Sequence, residues 1–208
     1  MPSREPTKSA LAKALLDIGA LRFGKFTLAS GKKSSYYLDV RIIPSFPDVY
    51  TLVIEAYRGA ARRIGESVFD AVAGVATAGV TMSSPLAYVM KKPMLYVRKE
   101  DKGHGLGKLV EGTAQRGSRV LVVDDVATTG GSIISAAEAL RREGFVADRA
   151  LVLVDRLEGG SENLRAAGVK LVTFADIKEL AEELHRSRLV RREDYEAIMR
   201  EAGTKQGQ

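Results

Sequence analysis

The sequence predicts an α/β fold: a central parallel sheet flanked by helices, with a small N-terminal hood over the ligand side. Two patterns carry this expectation. Short runs such as Arg119 to Val123 are β-branched or leucine at successive positions, as in strands buried on both faces. Segments such as Val49 to Ile64 instead space their apolar residues three and four apart, which marks one buried helix face. Patterns that alternate in this way, joined by short loops, build a parallel sheet covered by helices.

With 208 residues the chain supports one sizeable core and is short for two. A single compact domain is expected, comprising an N-terminal helix and hood strands (1–45) and a core (46–208). Lys plus Arg exceeds Asp plus Glu by 6, which suits nucleic acid or a small polyanion equally well. The absence of cysteine excludes disulfides and thiolate metal sites, and two histidines are too few for a protein-built zinc site. Any metal must therefore be hard and oxygen-bound. No apolar run approaches the length of a membrane span, and the N-terminus lacks a signal-peptide apolar core, so a cytoplasmic protein without membrane partners is expected.

In chain order, Ser9 is the expected cap of a first helix with Leu11, Leu15 and Ile18 on one face, ended by Gly19. Phe26 to Arg41 reads as two strands about a Ser30-Gly31-Lys32 turn, with Tyr36 and Tyr37 as strand aromatics. Asp48 is the expected cap of the next helix, which ends at Gly65. Asp70 to Val75 is a strand that runs into the small-residue loop Ala76-Thr77-Ala78-Gly79 and a helix from Val80 to Met90. Such a loop can donate amides to an anion, although many are bare turns.

Pro93 to Val97 is a further strand. After it, Arg98 to Lys108 holds five potential cations and three glycines with hardly an apolar side chain. That composition cannot pack, so the segment is expected to be mobile when empty and ordered by a polyanion; a solvated hairpin is the competing reading.

The chain is organised around Arg119 to Ile134. Its strand ends in Asp124 and Asp125, a small, hydroxylated, glycine-rich loop follows from Ala127 to Gly131, and a helix begins at Ser132. Loop amides and the first helical turn point at one spot where the helix dipole favours negative charge. Thr128, Thr129 and Ser132 add hydroxyl donors, and Gly130 and Gly131 allow close backbone approach. Carboxylates would repel a bare phosphate, whereas vicinal sugar hydroxyls suit them, so a phosphorylated ribose satisfies both halves.

Ala147 to Val154 forms another strand, with Asp155-Arg156 at its carboxyl end, where Arg156 can fork onto a planar carboxylate. A last strand from Val169 to Phe174 precedes a helix capped by Asp176. His185 and the run Arg188 to Asp194 read as solvated helix surface.

Val122 to Ser132 resembles the phosphoribosyl-diphosphate motif of the type I phosphoribosyltransferases. The hood segment, the cationic loop and Asp155-Arg156 narrow this to the orotate phosphoribosyltransferases, over about Phe23 to Arg156. The resemblance implies the type I phosphoribosyltransferase fold and Mg²⁺-dependent transfer of phosphoribose to orotate, giving orotidine 5′-phosphate and diphosphate for UMP biosynthesis. It assigns phosphoribosyl diphosphate to Asp124, Asp125, Val126, Ala127, Thr128, Thr129, Gly130, Gly131 and Ser132, with the ribose on the two acids and the 5′-phosphate on Thr128 to Ser132. Ala76 and Thr77 belong to the pyrophosphate loop. Arg98, Lys99, Lys102 and His104 neutralise the departing diphosphate, with Lys102 and His104 stabilising or protonating it.

Orotate falls to Thr128, Arg156 and Tyr37. Mg²⁺ arrives with the diphosphate rather than in a protein cage. A homodimer is implied, with loop 98–108 closing over the neighbour's site and no nucleic-acid partner. One departure stands out: the family often has a lysine where this chain has Ala29, and Lys32, Lys33 or Arg41 are the candidates to replace it. The rivals are transfer to a different base, and a regulator that keeps the sugar pocket as a sensor and binds nucleic acid.

Overall fold

A computed structural model describes residues 5–27, 31, 33–99 and 109–203. Helix α1 (Lys8–Asp17) begins earlier than Ser9 implies, because Thr7 Oγ1 accepts from the Ala10 amide at 3.1 Å and caps the first turn. The hood hairpin follows as β1 (Leu21–Thr27) and β2 (Lys33–Leu38), antiparallel, with Leu21 opposite Leu38 and Thr27 opposite Lys33. A 3-10 helix (Val40–Ser45) leads to α2 (Pro47–Ile64). Here Pro47 occupies the first turn, where a missing N–H costs nothing, so Asp48 is a first-turn acid rather than the cap.

The core continues with β3 (Ala71–Val75), α3 (Ala78–Met90), β4 (Met94–Val97), β5 (Val110–Glu111), β6 (Arg119–Val123) and β7 (Val126–Ala127). It is completed by α4 (Gly131–Arg142), β8 (Val146–Asp155), α5 (Gly160–Ala166), β9 (Lys170–Asp176), α6 (Ile177–Arg186) and α7 (Arg192–Gly203). The sheet order is β5-β4-β3-β6-β8, with β7 and β9 both on β8; β5 runs antiparallel to β4 and the other pairs are parallel.

Strand side chains alternate between two apolar layers. Val72, Leu121 and Leu151 face a cluster built with the hood, α1, α2, α3, α6 and α7, while Ala73, Val122 and Val152 face α4 and α5. Both layers being closed explains why β6 and the end of β8 are unbroken apolar runs. Since β3, β6 and β8 run the same way, the loops after them share one edge of the sheet.

In the C-terminal segment most of the run Arg188 to Asp194 is exposed, as expected of a solvated surface, whereas His185 is half-buried. Asp176 does cap α6, in a reciprocal capping box with Glu179. The chain then turns at Arg188, with φ +57°, and α7 folds back against β2. Between α6 and α7 the His185 ring stacks on Tyr195 at 4.4 Å between centroids, 7° from parallel. His185 is therefore a packing residue.

Candidate active site

Strand β6 is buried from Val120 to Val123, and the acids follow where it leaves the sheet. Asp124 is 8% exposed, with Oδ1 accepting from the Asp125 amide at 2.9 Å, while Asp125 Oδ1 accepts from the Val126 amide at 2.8 Å. From α2, the Tyr57 hydroxyl donates to the Asp124 carbonyl at 2.7 Å and fixes the strand end from behind. Helix α3 presses on the same point. A Cβ added to Gly79 would meet the Val123 carbonyl at 2.6 Å and Asp124 Oδ1 at 2.9 Å, so glycine alone permits this approach.

Burial, and secondarily the neighbouring Asp125 charge, pushes the Asp124 carboxyl well above the usual carboxylate range, against the opposing positive charge of Lys99. Asp125 is also raised by burial, with the Val126 amide and, more weakly, Arg41 pulling the other way. Two such acids share protons when alone and ionise when donors or positive charge arrive.

Beyond the acids, a cavity of about 180 Å³ is lined by Asp124, Val126 and the run Thr128 to Ile133. Gly130 takes φ +82° to open α4 directly onto it. Helix α5, which the sequence reading did not anticipate, braces the loop: the Asn163 side-chain amide donates to the Thr129 carbonyl at 2.9 Å. A second cavity, about 300 Å³, brings Ala76 of the β3–α3 loop together with Arg98, Lys99 and Ser132. Ser132 lines both cavities and so joins the two loops. Thr77 stands at the start of α3 without a side-chain capping bond, and the Ala76–Thr77 peptide is cis. Arg98 is anchored at the base of the cationic loop by its amide to Leu109 O at 2.9 Å and by an ion pair to Glu111 at 3.6 Å.

The third part of the site is Arg156. Strand β7 places the phosphate loop beside β8, and the Arg156 amide donates to the Ala127 carbonyl at 2.9 Å. Its Nε donates to the Tyr36 hydroxyl at 3.0 Å, its guanidinium lies 4.9 Å from the centre of the Tyr36 ring, and Nη2 is 3.1 Å from Glu158 Oε1. Nη2 is buried, and its contact with Glu158 is an ion pair without hydrogen-bond alignment. Burial pushes the Tyr36 hydroxyl up to about 12, so it remains protonated.

Tyr37 takes a different position. Its ring lies 5.7 Å from that of Phe26 and beneath Arg22, and its hydroxyl accepts from Arg41 Nη2 at 3.3 Å. Arg41 is forked onto Asp39, at 2.7 Å from Nε and 2.9 Å from Nη2. Lys33 donates to Thr27 on its own hairpin at 2.8 Å. Of these two candidates for the lysine absent at Ala29, Arg41 is the one whose charge reaches Asp125. Ala29, Lys32, Lys102 and His104 lie outside the described residues.

Sequence reasoning passed over Tyr57, the Tyr36–Arg156 contact, Glu158 and Asn163. Only Tyr57 left a signal: a hydroxyl on the otherwise apolar buried face of α2, beside Val53, Ala56 and Ala60. A larger cavity of about 660 Å³ between the hood and α7, bordered by Phe26, Ser35, Arg191 and Glu201, has neither the acid pair nor the loop amides. Among the described residues no group of three or more His, Asp or Glu is placed to hold a metal, and no helix is long and apolar enough to cross a membrane.

Residues 48–184 match the phosphoribosyl transferase domain family. A curated protein from Sulfolobus acidocaldarius named orotate phosphoribosyltransferase is 43% identical over 186 residues, covering 89% of this chain and 92% of that protein. The crystal structure of orotate phosphoribosyltransferase from Aeropyrum pernix is 40% identical, with a TM-score of 0.73 over 84% of this chain and 99% of that one. The structure of Leishmania donovani UMP synthase superposes on 96% of this chain at a TM-score of 0.85 and 30% identity. This chain spans 43% of that longer protein.

Proposed function

Because the chain belongs to the orotate phosphoribosyltransferases of the phosphoribosyl transferase domain family, we propose that it moves the 5-phosphoribosyl group of phosphoribosyl diphosphate onto orotate, with the roles that follow. The products are orotidine 5′-phosphate and diphosphate, in the pyrimidine route to UMP. Diphosphate leaves as positive charge grows on the ribose ring, so the protein's work is positioning and charge stabilisation.

Asp124 and Asp125 accept the ribose hydroxyls, and their ionisation answers the charge that develops on the ring. Thr128 to Ser132 cradle the 5′-phosphate in the smaller cavity, while Ala76, Arg98 and Lys99 receive the diphosphate in the adjoining one, with Thr77 next to Ala76 at the start of α3. Lys102 and His104 are assigned to the leaving group from the composition of their loop. Arg156 takes the orotate carboxylate, a role supported by its place at the carboxyl end of β8, where its amide ties it to the phosphate loop. Thr128 follows the Ala127 carbonyl that ties this arginine to the loop, and Arg41, whose charge acts on Asp125, donates to the Tyr37 hydroxyl of the hood. Arg41 thus stands in for the family lysine.

The acid pair fits a hard cation but offers too few oxygens to cage one, which suits Mg²⁺ carried in by the substrate. When bound, Mg²⁺ supplies charge neutralisation to the diphosphate oxygens. The acting form is a cytoplasmic homodimer, with loop 98–108 of each subunit closing over its neighbour's site.

The observation that carries this reading is the buried Asp124, with Asp125 next to it in the chain, lining the same cavity as the amide and hydroxyl cradle. The test is the absorbance change on mixing the protein with orotate, phosphoribosyl diphosphate and Mg²⁺, with hypoxanthine, adenine and uracil in parallel. Mg²⁺-dependent consumption of orotate alone is expected. Turnover of another base would overturn the role of Arg156 and leave the sugar site intact.

A further inference from the structure

On α7, the Glu201 carboxylate accepts from Ser34 Oγ at 2.9 Å, from the Ser35 amide at 2.7 Å and from Ser35 Oγ at 2.8 Å. Ser34 is 5% exposed and the next inward-facing residue of β2, Tyr36, is 2% exposed. Tyr36 is the residue whose hydroxyl accepts from Arg156. A carboxylate from α7 is thus bonded to the strand segment that holds the arginine of the base site. Both partners, α7 and β2, lie outside the family match of residues 48–184.

Simple packing does not need this arrangement. Ile198 and Ala202 already bury α7 in the hood cluster. Apolar contacts resist separation but sliding only weakly, whereas three directed donors on one carboxylate fix the strand along its length as well.

We propose that Glu201 is a positioning residue for orotate: by holding Ser34 and Ser35 it sets Tyr36, and through Tyr36 it sets the guanidinium of Arg156. This rests on the reading of Arg156 as the carboxylate-binding residue.

The test is steady-state kinetics and thermal melting of Glu201→Ala, Glu201→Gln, Tyr36→Phe and Arg156→Lys, with both substrates varied. Glu201→Ala is expected to raise the KM for orotate roughly tenfold while the KM for phosphoribosyl diphosphate stays within about twofold. Glu201→Gln keeps one acceptor oxygen and is expected to show a smaller rise of the same kind; it also serves if the alanine variant fails to fold. In a Tyr36→Phe background the alanine change should add little, since the relay is already cut. A lower melting temperature with both KM values unchanged, or with both raised alike, would assign Glu201 a purely structural role and overturn the proposal. An unchanged orotate KM in Arg156→Lys would instead remove the premise, a failure that the Glu201 variants alone cannot produce.

Discussion

Two adjacent carboxylates at the end of a buried strand cost the empty protein stability, and that cost can be measured. Burial raises both acids in the folded chain above the ordinary Asp value of 3.8. Above that pH the folded state therefore holds more protons than the unfolded one, so this contribution is present in acid and is lost as pH rises through the raised values. Asp124→Asn should melt higher than the parent protein, by more at about pH 8 than at about pH 4, while losing roughly a hundredfold or more in turnover. A melting temperature that moves equally at both pH values would show that the pair is not raised. The acids were legible in the sequence because charge at the end of an apolar strand is conspicuous. Tyr57 and Tyr36 were not, because their partners Asp124 and Arg156 lie 67 and 120 residues away, a separation no local pattern encodes.

At the scale of elements, the site is two strand, loop and helix units side by side, β3 with α3 and β6 with α4. Their closeness depends on one missing side chain. Gly79→Ala would press a methyl group into the Val123 carbonyl and the Asp124 carboxylate, and is expected to destabilise the fold by about 1–3 kcal/mol and to lower turnover. Chemical denaturation beside an assay reads both, and wild-type values in each would refute the close packing. The strands and long helices followed from periodicity because each spans several repeats. Strands β5 and β7, of two residues each, and α5, of seven, are shorter than any window in which a period can be recognised. Yet β7 sets Arg156 beside the phosphate loop and α5 braces that loop from behind. What stayed hidden was the scaffolding that brings legible residues together.

For the whole molecule, the proposed dimer makes a sharp prediction, because a loop that serves the neighbouring site separates the acid pair and Lys102 onto different subunits. Mixing inactive Lys102→Ala and Asp125→Asn proteins under conditions that exchange subunits should restore activity, to about a quarter of the wild-type value for random pairing. No recovery from a mixture shown to contain mixed dimers would place each loop over its own site. The seam between β2 and α7 has a further consequence, in the order of synthesis. The hood hairpin leaves the ribosome well before its Glu201 anchor does. A nascent chain can form the sugar-phosphate loops while its base pocket is still unset, so a pocket whose hairpin is made before those loops is completed only after them.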